Sequence, residues 1–113
     1  MKVKYQFISN PDSNTVRLVQ GRMRPAERKR MEEGQMPDFG AFLLIQGTIP
    51  EMVQAADISV KASDVVSFEL VGNCPQSFIT IVIAGKIRSV QTALKAVLAA
   101  QDNRTDDILG SFA

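Results

Sequence analysis

Two strands and a connecting loop are predicted for residues 65–84, whose sequence is VVSFELVGNCPQSFITIVIA. Residues 65–71 alternate apolar and polar side chains, as a half-buried strand does. Residues 78–84 are almost wholly apolar and rich in β-branched side chains, which is typical of a buried strand. The residues between them are turn formers, and Pro75 disfavours a helical backbone at Cys74. We therefore predict that Cys74 lies at the tip of a loop.

Cys74 is the only cysteine in the 113-residue chain. A lone cysteine in an intracellular protein is most often a small buried hydrophobe, but the polar turn formers beside Cys74 favour an exposed loop. One thiol per chain cannot close an internal disulfide, and a zinc site or an iron-sulfur cluster needs about four ligands. Any metal role for Cys74 therefore requires several chains to meet at this loop.

The composition is that of one globular domain with 45% hydrophobic residues and a formal charge of +1. This charge gives no general attraction to nucleic acid or to a membrane, so neither is expected as a partner. No apolar run approaches the length of a membrane helix, and the first residues do not resemble a secretory signal. With one cysteine, the chain is expected to be cytosolic. The chain has no histidine, which removes the commonest general base and the usual nucleophile pairs of enzymes.

The N-terminal third predicts two short strands followed by a helix. Residues 2–8 and 15–20 look like the strands of a hairpin, because a dense cluster of turn formers joins them. A helix is predicted over residues 25–33, with proline at its first position and Gly34 just past its end. Six basic residues between positions 17 and 30 are interpreted as a solvated helix face.

The remainder of the chain predicts a central strand at residues 39–47, a helix from Pro50, the strand pair already described and a helix over residues 87–100. Lys61 is expected to be exposed on the first of these helices. The buried face of that helix is predicted to contain Met52, Ala55, Ala56, Ser59, Val60 and Ser63. This order predicts an α+β fold, in which helices cover one face of an antiparallel sheet, close to a ferredoxin-like unit with its last strand moved to the front.

Residues 55–65, AADISVKASDV, and residues 83–93, IAGKIRSVQTA, resemble the shell-protein domain of bacterial microcompartments, the BMC domain. That family has an alanine-rich helix, a pore loop between its two middle strands and a strand that ends in a similar glycine motif. The segment that precedes the central strand resembles the start of circularly permuted members. The resemblance implies a single permuted BMC domain over 1–113, with a permuted segment 1–36, a core 37–101 and a tail 102–113.

The resemblance also implies a function. Such proteins are structural rather than enzymatic, and they form cyclic homohexamers that tile the microcompartment shell in the cytoplasm together with other shell proteins. Lys61, and Arg24 in an Arg-Pro pair, match residues of the family that join neighbouring hexamers at their edges. The loop expected to line the central pore consists of Gly72, Asn73, Cys74, Pro75 and Gln76.

The cysteine-containing loop is similar to that of permuted shell proteins from glycyl-radical propanediol microcompartments, whose pore is associated with an iron-sulfur cluster. This similarity implies that Cys74 binds the iron of such a cluster, expected to be [4Fe-4S], shared among subunits, with zinc as an alternative. In permuted relatives the N-terminal strands form a small barrel over one pore mouth, so residues 2–8 of this chain are expected to gather near the axis. The turn that follows them is equally compatible with residues 2–8 forming a mobile arm. Two other functions stay open: a ferredoxin-like regulatory or ligand-binding module without metal, and a small enzyme with a redox-active thiol.

Overall fold

The computed structural model describes residues 4–72 and 78–102. The elements in chain order are β1 (Lys4–Ser9), α1 (Ser13–Gln20), α2 (Pro25–Glu32), β2 (Ala41–Thr48), α3 (Ile49–Ala62), β3 (Val65–Leu70), β4 (Phe78–Gly85) and α4 (Ile87–Asp102). The strands form one sheet in the order β1-β2-β4-β3, and every neighbouring pair is antiparallel. In this part of the chain no helix is long and apolar enough to cross a membrane.

One face of the sheet, here called the helix face, is covered by α3 and α4. The apolar side chains that meet between these layers include Leu43, Ile45 and Ile83 from the sheet, Met52 from α3 and Val90 from α4, and none of them is accessible to solvent. Burial of each such side chain contributes roughly 1.5 to 3 kcal/mol. The predicted α+β fold, with two helices packed on an antiparallel sheet, is confirmed.

The opposite face of the sheet is also covered, which the sequence did not predict. Val19 and Met23 from the N-terminal segment are 5% and 2% exposed, and they pack with Phe42, Phe68 and Val82 from β2, β3 and β4. Half-buried side chains between α2 and β2 extend this second cluster. The expectation of helices on a single face is therefore too narrow, because α1 and the residues after it provide a third layer.

The predicted strand at residues 15–20 is wrong, because these residues lie in α1. Asp12 caps the helix and its carboxylate accepts a hydrogen bond from the Asn14 backbone N–H at 2.9 Å. Val16 and Val19 are three residues apart and face the second cluster, whereas Leu18 points to solvent with 73% exposure. The helix thus places both valines on the same buried face, whereas in a strand residues three apart would lie on opposite faces.

β1 is an edge strand of the subunit's own sheet. Its residues pair with β2 from Lys4↔Gln46 to Ser9↔Ala41. For residues 4–8 this pairing contradicts a mobile arm and a strand separate from the subunit's own sheet, because the side of β1 that faces β2 is bonded along the ladder. From β2 onward the order of elements is strand, helix, strand, strand, helix. A ferredoxin-like unit continues with a sixth element, a last strand at the sheet edge, and here β1 occupies that edge position.

Helices α2 and α3 begin close to the prolines that predicted them, α2 at Pro25 and α3 at Ile49, one residue before Pro50. α2 starts at Pro25 and ends at Glu32, and Gly34 follows with a φ of 71°, a left-handed conformation that favours glycine. The predicted buried face of α3 is correct at Met52, Ala55 and Ser59 and wrong at Val60, which is 46% exposed. Val60 follows the buried Ser59 directly, and one residue turns a helix by about 100°, so both cannot face the sheet.

Candidate pore loop and its base

The loop predicted to line a pore connects the adjacent strands β3 and β4 at one end of the sheet. The last pair of this ladder is Leu70↔Thr80. Asn73, Cys74, Pro75 and Gln76 lie outside the described residues. Gly72 is described and exposed, and its φ is outside the left-handed region. A side-chain carbon added to Gly72 would approach the Arg22 Nη1 at 3.6 Å, which is an ordinary contact.

The base of the loop is held by the residues that follow α1. The Val71 backbone N–H donates to the Arg22 carbonyl oxygen at 2.7 Å, and Arg22 Nη1 donates to the Val71 carbonyl oxygen at 3.3 Å. Met23 forms an isolated antiparallel bridge with Leu70. These contacts extend the sheet beyond β3 for a short distance. They fix one root of the loop to the N-terminal segment, about 50 residues earlier in the chain.

Arg22 is a residue of this region that sequence analysis missed. It was grouped with a solvated helix face, but it follows α1 and bonds to the loop base through both its carbonyl oxygen and its guanidinium group. No local pattern marks such a contact, because the two partners come from distant parts of the sequence. Two large apolar side chains also stay exposed at the loop roots, Val71 at 47% and Phe78 at 46%.

Arg24 lies beside the loop base. Its Nη2 atom is 3.4 Å from Glu69 Oε2, and both side chains are partly exposed. An ion pair in this setting contributes at most about 1 kcal/mol. Arg24 also occupies the N-cap position of α2 without a side-chain capping bond.

Lys61 lies at the other end of β3, because α3 ends at Ala62 and leads directly into Val65. Its side chain is 74% exposed, as predicted, and Nζ is 2.8 Å from Asp57 Oδ2 one helical turn earlier. β3 runs from the Lys61 end to the Arg24 end. The structure therefore places the two expected edge residues at opposite ends of the sheet and does not bring them together.

The described residues do not by themselves form a metal site. Residues 4–72 and 78–102 contain no group of three or more His, Cys, Asp or Glu side chains that could hold an ion. The donor set for a cluster would have to come from Cys74 in several chains. This agrees with the requirement for about four thiolates per cluster and one cysteine per chain.

Comparison with known proteins identifies the family. The BMC domain model matches residues 44–112. The chain is similar in fold to a GrpU microcompartment shell protein from Pectobacterium wasabiae, with a TM-score of 0.66 and 24% identity over 83% of this chain and 98% of that one. It is also similar to a GrpU microcompartment shell protein from Clostridiales bacterium 1_7_47FAA, with a TM-score of 0.60 and 24% identity over 87% and 94% of the two chains. No curated protein sequence matches the chain.

The family match covers more than half of the chain, from within β2 to residue 112. Proteins of this family form the shell of bacterial microcompartments in the cytoplasm and are structural rather than enzymatic, which confirms those predictions. The family does not support the alternatives of a regulatory module or a thiol enzyme. On the match to its domain model, this chain belongs to the family of bacterial microcompartment shell proteins.

Proposed function

We propose that this shell protein forms a cyclic homohexamer that tiles the shell beside other shell proteins, with the β3–β4 loop around a central pore. The observation that carries this proposal is the position of the chain's single cysteine, in a loop that connects the ends of two adjacent strands. In a ring with these loops at the axis, one thiol from each subunit would meet its copies. Shell proteins of the family typically assemble into oligomers, which supports a ring.

Exposed apolar side chains on α3 also support self-association. Ile49, Val53 and Val60 are 48%, 62% and 46% exposed, and their spacing of four and seven residues places them on one side of the helix. A stripe of this kind on an isolated subunit fits burial by a neighbouring copy better than contact with water.

We also propose that the domain is circularly permuted, with segment 1–36 before the core 37–101 and the tail 102–113. Two facts support this assignment. β1 occupies the sheet edge beside β2 although it comes first in the chain. The family model begins at residue 44, inside β2, and so leaves β1 outside the matched segment.

Cys74 is proposed to bind the iron of an oxygen-sensitive [4Fe-4S] cluster shared among subunits. When bound, such a cluster would supply one-electron redox chemistry or a structural link at the pore. The number of thiol donors fits a ring of subunits. A cluster needs about four thiolates, and a hexamer would supply six, whereas one chain supplies a single thiol. Asn73 and Gln76 would be available as amide donors near cluster sulfurs. Zinc would use the same thiolates and would leave the protein colourless.

The test is an absorbance spectrum of anaerobically purified protein, with iron and sulfide assays on the same sample. The wild-type protein is expected to show broad absorbance near ~400 nm with bound iron and sulfide. Cys74→Ser is expected to lose both while the oligomer persists, because sheet and helix packing hold the subunit. Ser77→Ala, in the same loop, is the matched control and should retain the absorbance. If reconstituted wild-type protein binds neither iron nor sulfide, the cluster proposal fails.

At the edges of the hexamer we propose Lys61 as the residue that contacts the neighbouring hexamer. Its exposure and its distance along β3 from the loop support this assignment. Arg24 is the second candidate from the family resemblance. Its contact with Glu69 near the loop base makes it the weaker of the two, because a residue near the axis is remote from the perimeter.

A further inference from the structure

A groove of about 560 Å³ lies among α1, the start of α2 and the end of β3. Its volume is within the range of sites that bind small ligands or side chains of a partner. Leu18 and Val71 give it apolar surface, and Leu18 is 73% exposed. The residues that line the groove are Arg17, Leu18, Gly21, Arg22, Met23, Arg24, Pro25 and Val71.

Three arginines give the groove a positive charge that is only partly balanced. Arg24 pairs with Glu69, but within residues 4–72 and 78–102 neither Arg17 nor Arg22 pairs with a carboxylate. Arg17 donates to the Asn14 side-chain oxygen, and Arg22 donates to a backbone carbonyl. Guanidinium groups bind carboxylates in a bidentate geometry, so this surface suits an acidic segment with apolar side chains next to the acids.

We propose that the groove binds residues 106–112 of this chain, DDILGSF, from the same subunit or from a neighbouring copy. The segment has two adjacent aspartates for the arginines, and then isoleucine, leucine and phenylalanine for the exposed apolar surface. This inference goes beyond the proposed pore function. It rests on the fold and charges of a single subunit, and it stands or falls independently of the cluster.

The end of α4 lies at the same end of the sheet as the groove. The last turns of α4, at Val97 and Gln101, lie against the first turn of α3, which follows β2. The last residue of β2, Thr48, pairs with Phe78, the first residue of β4 after the loop. Four to ten residues beyond Asp102 span at most roughly 14 to 36 Å when extended. Neighbouring layers are about 10 Å apart, so the path from the α4 layer past the sheet to the α1 layer is roughly 20 Å. The middle and end of the segment can span this distance, and the long arginine side chains shorten it for the two aspartates.

The test uses the full-length chain with Cys74→Ser and Ser111→Cys, with a nitroxide spin label on the new thiol. Methyl NMR signals of Leu18 and Val71 are the readout, and those of Ile87, at the opposite end of the sheet, are the internal control. If the segment docks in the groove, the methyl signals of Leu18 and Val71 should lose most of their intensity, and the methyl signal of Ile87 should keep its intensity. The loss should be reversed in Arg17→Gln/Arg22→Gln and at about 1 M salt, where the Debye length falls to about 3 Å.

A matched double variant, Lys29→Gln/Lys95→Gln, removes the same charge outside the groove and should leave the broadening unchanged. To distinguish the two sources, isotope-labelled subunits without a spin label are mixed with an excess of spin-labelled subunits of natural isotope abundance. Broadening of the isotope-labelled subunits by their spin-labelled neighbours indicates docking between copies, and its absence together with broadening in the sample whose subunits carry both labels indicates docking within one chain. Unbroadened Leu18 and Val71 signals, or broadening that the arginine variant does not change, would overturn the proposal.

Discussion

Met23→Ala is the substitution that most directly tests the layer on the second face of the sheet. If helices covered only one face, Met23 would be solvent-exposed and its truncation would be nearly neutral. In the structure its side chain is 2% exposed and packs with Phe42, Phe68 and Val82. The backbone bridge between Met23 and Leu70 does not depend on the side chain, so the substitution removes packing alone.

The expected cost follows from burial and from the cavity that remains. Truncating a buried methionine to alanine lowers the free energy of unfolding by about 2 to 5 kcal/mol, and the lower half of that range applies here because the neighbouring segment can partly collapse. With a urea dependence of about 1 to 3 kcal/mol per molar, the unfolding midpoint should fall by roughly 1 M.

Urea unfolding followed by circular dichroism measures this change, at one fixed protomer concentration, because assembly adds to apparent stability. Lys29→Ala on α2 is the matched control, since its side chain is exposed outside the groove and its loss should cost less than about 0.5 kcal/mol. Equal, small costs for the two variants would refute the buried second face and restore the one-sided architecture.

Three further predictions concern the ends of α3 and the last residue of β4. Thr48→Ala removes the capping box at the start of α3 and should destabilise the protein by about 1 kcal/mol in thermal unfolding; an unchanged midpoint would contradict the cap. Gly85→Ala would place a carbon 3.1 Å from the Asp64 carbonyl oxygen, so a loss of about 1 to 3 kcal/mol is expected in the same assay, and a gain in stability would count against this close approach. Lys61→Ala should leave the hexamer intact by size-exclusion chromatography but weaken sheets seen by electron microscopy, whereas Lys95→Ala should not; unchanged tiling would remove the edge assignment.

Regular periodicity made most of the fold predictable from the sequence. The strands β2 and β4 were located from nearly continuous apolar runs, and β3, α3 and α4 from apolar patterns with a regular period. α2 was located from Pro25 at its start and Gly34 past its end. α1 was missed because it is only eight residues long, so that Val16 and Leu18 gave an apparent alternation. Its helical state depends on the contacts of Val19 with the sheet, which are not local in the chain. It also depends on the Asp12 cap, a local signal that was interpreted as part of a turn.

The site was predictable only in part. The position of the loop between β3 and β4 followed from turn chemistry, and the exposure of Lys61 followed from its place on an amphipathic helix. The anchoring of the loop base by Arg22 depends on a contact 49 residues away in the chain, which no local pattern encodes. The position of Arg24 beside Glu69 could not be predicted either, because it depends on the path that the segment after α1 takes across the sheet edge.

Native mass spectrometry of anaerobically reconstituted protein tests the central proposal most directly, because it measures assembly and cofactor content in one spectrum. The subunit mass is 12.4 kDa. We predict one dominant species with six times that mass plus the mass of a single [4Fe-4S] cluster, and the same hexamer without the added mass for Cys74→Ser. A spectrum of monomers or dimers would contradict the ring, and a wild-type hexamer without added iron and sulfur would contradict the cluster at its pore.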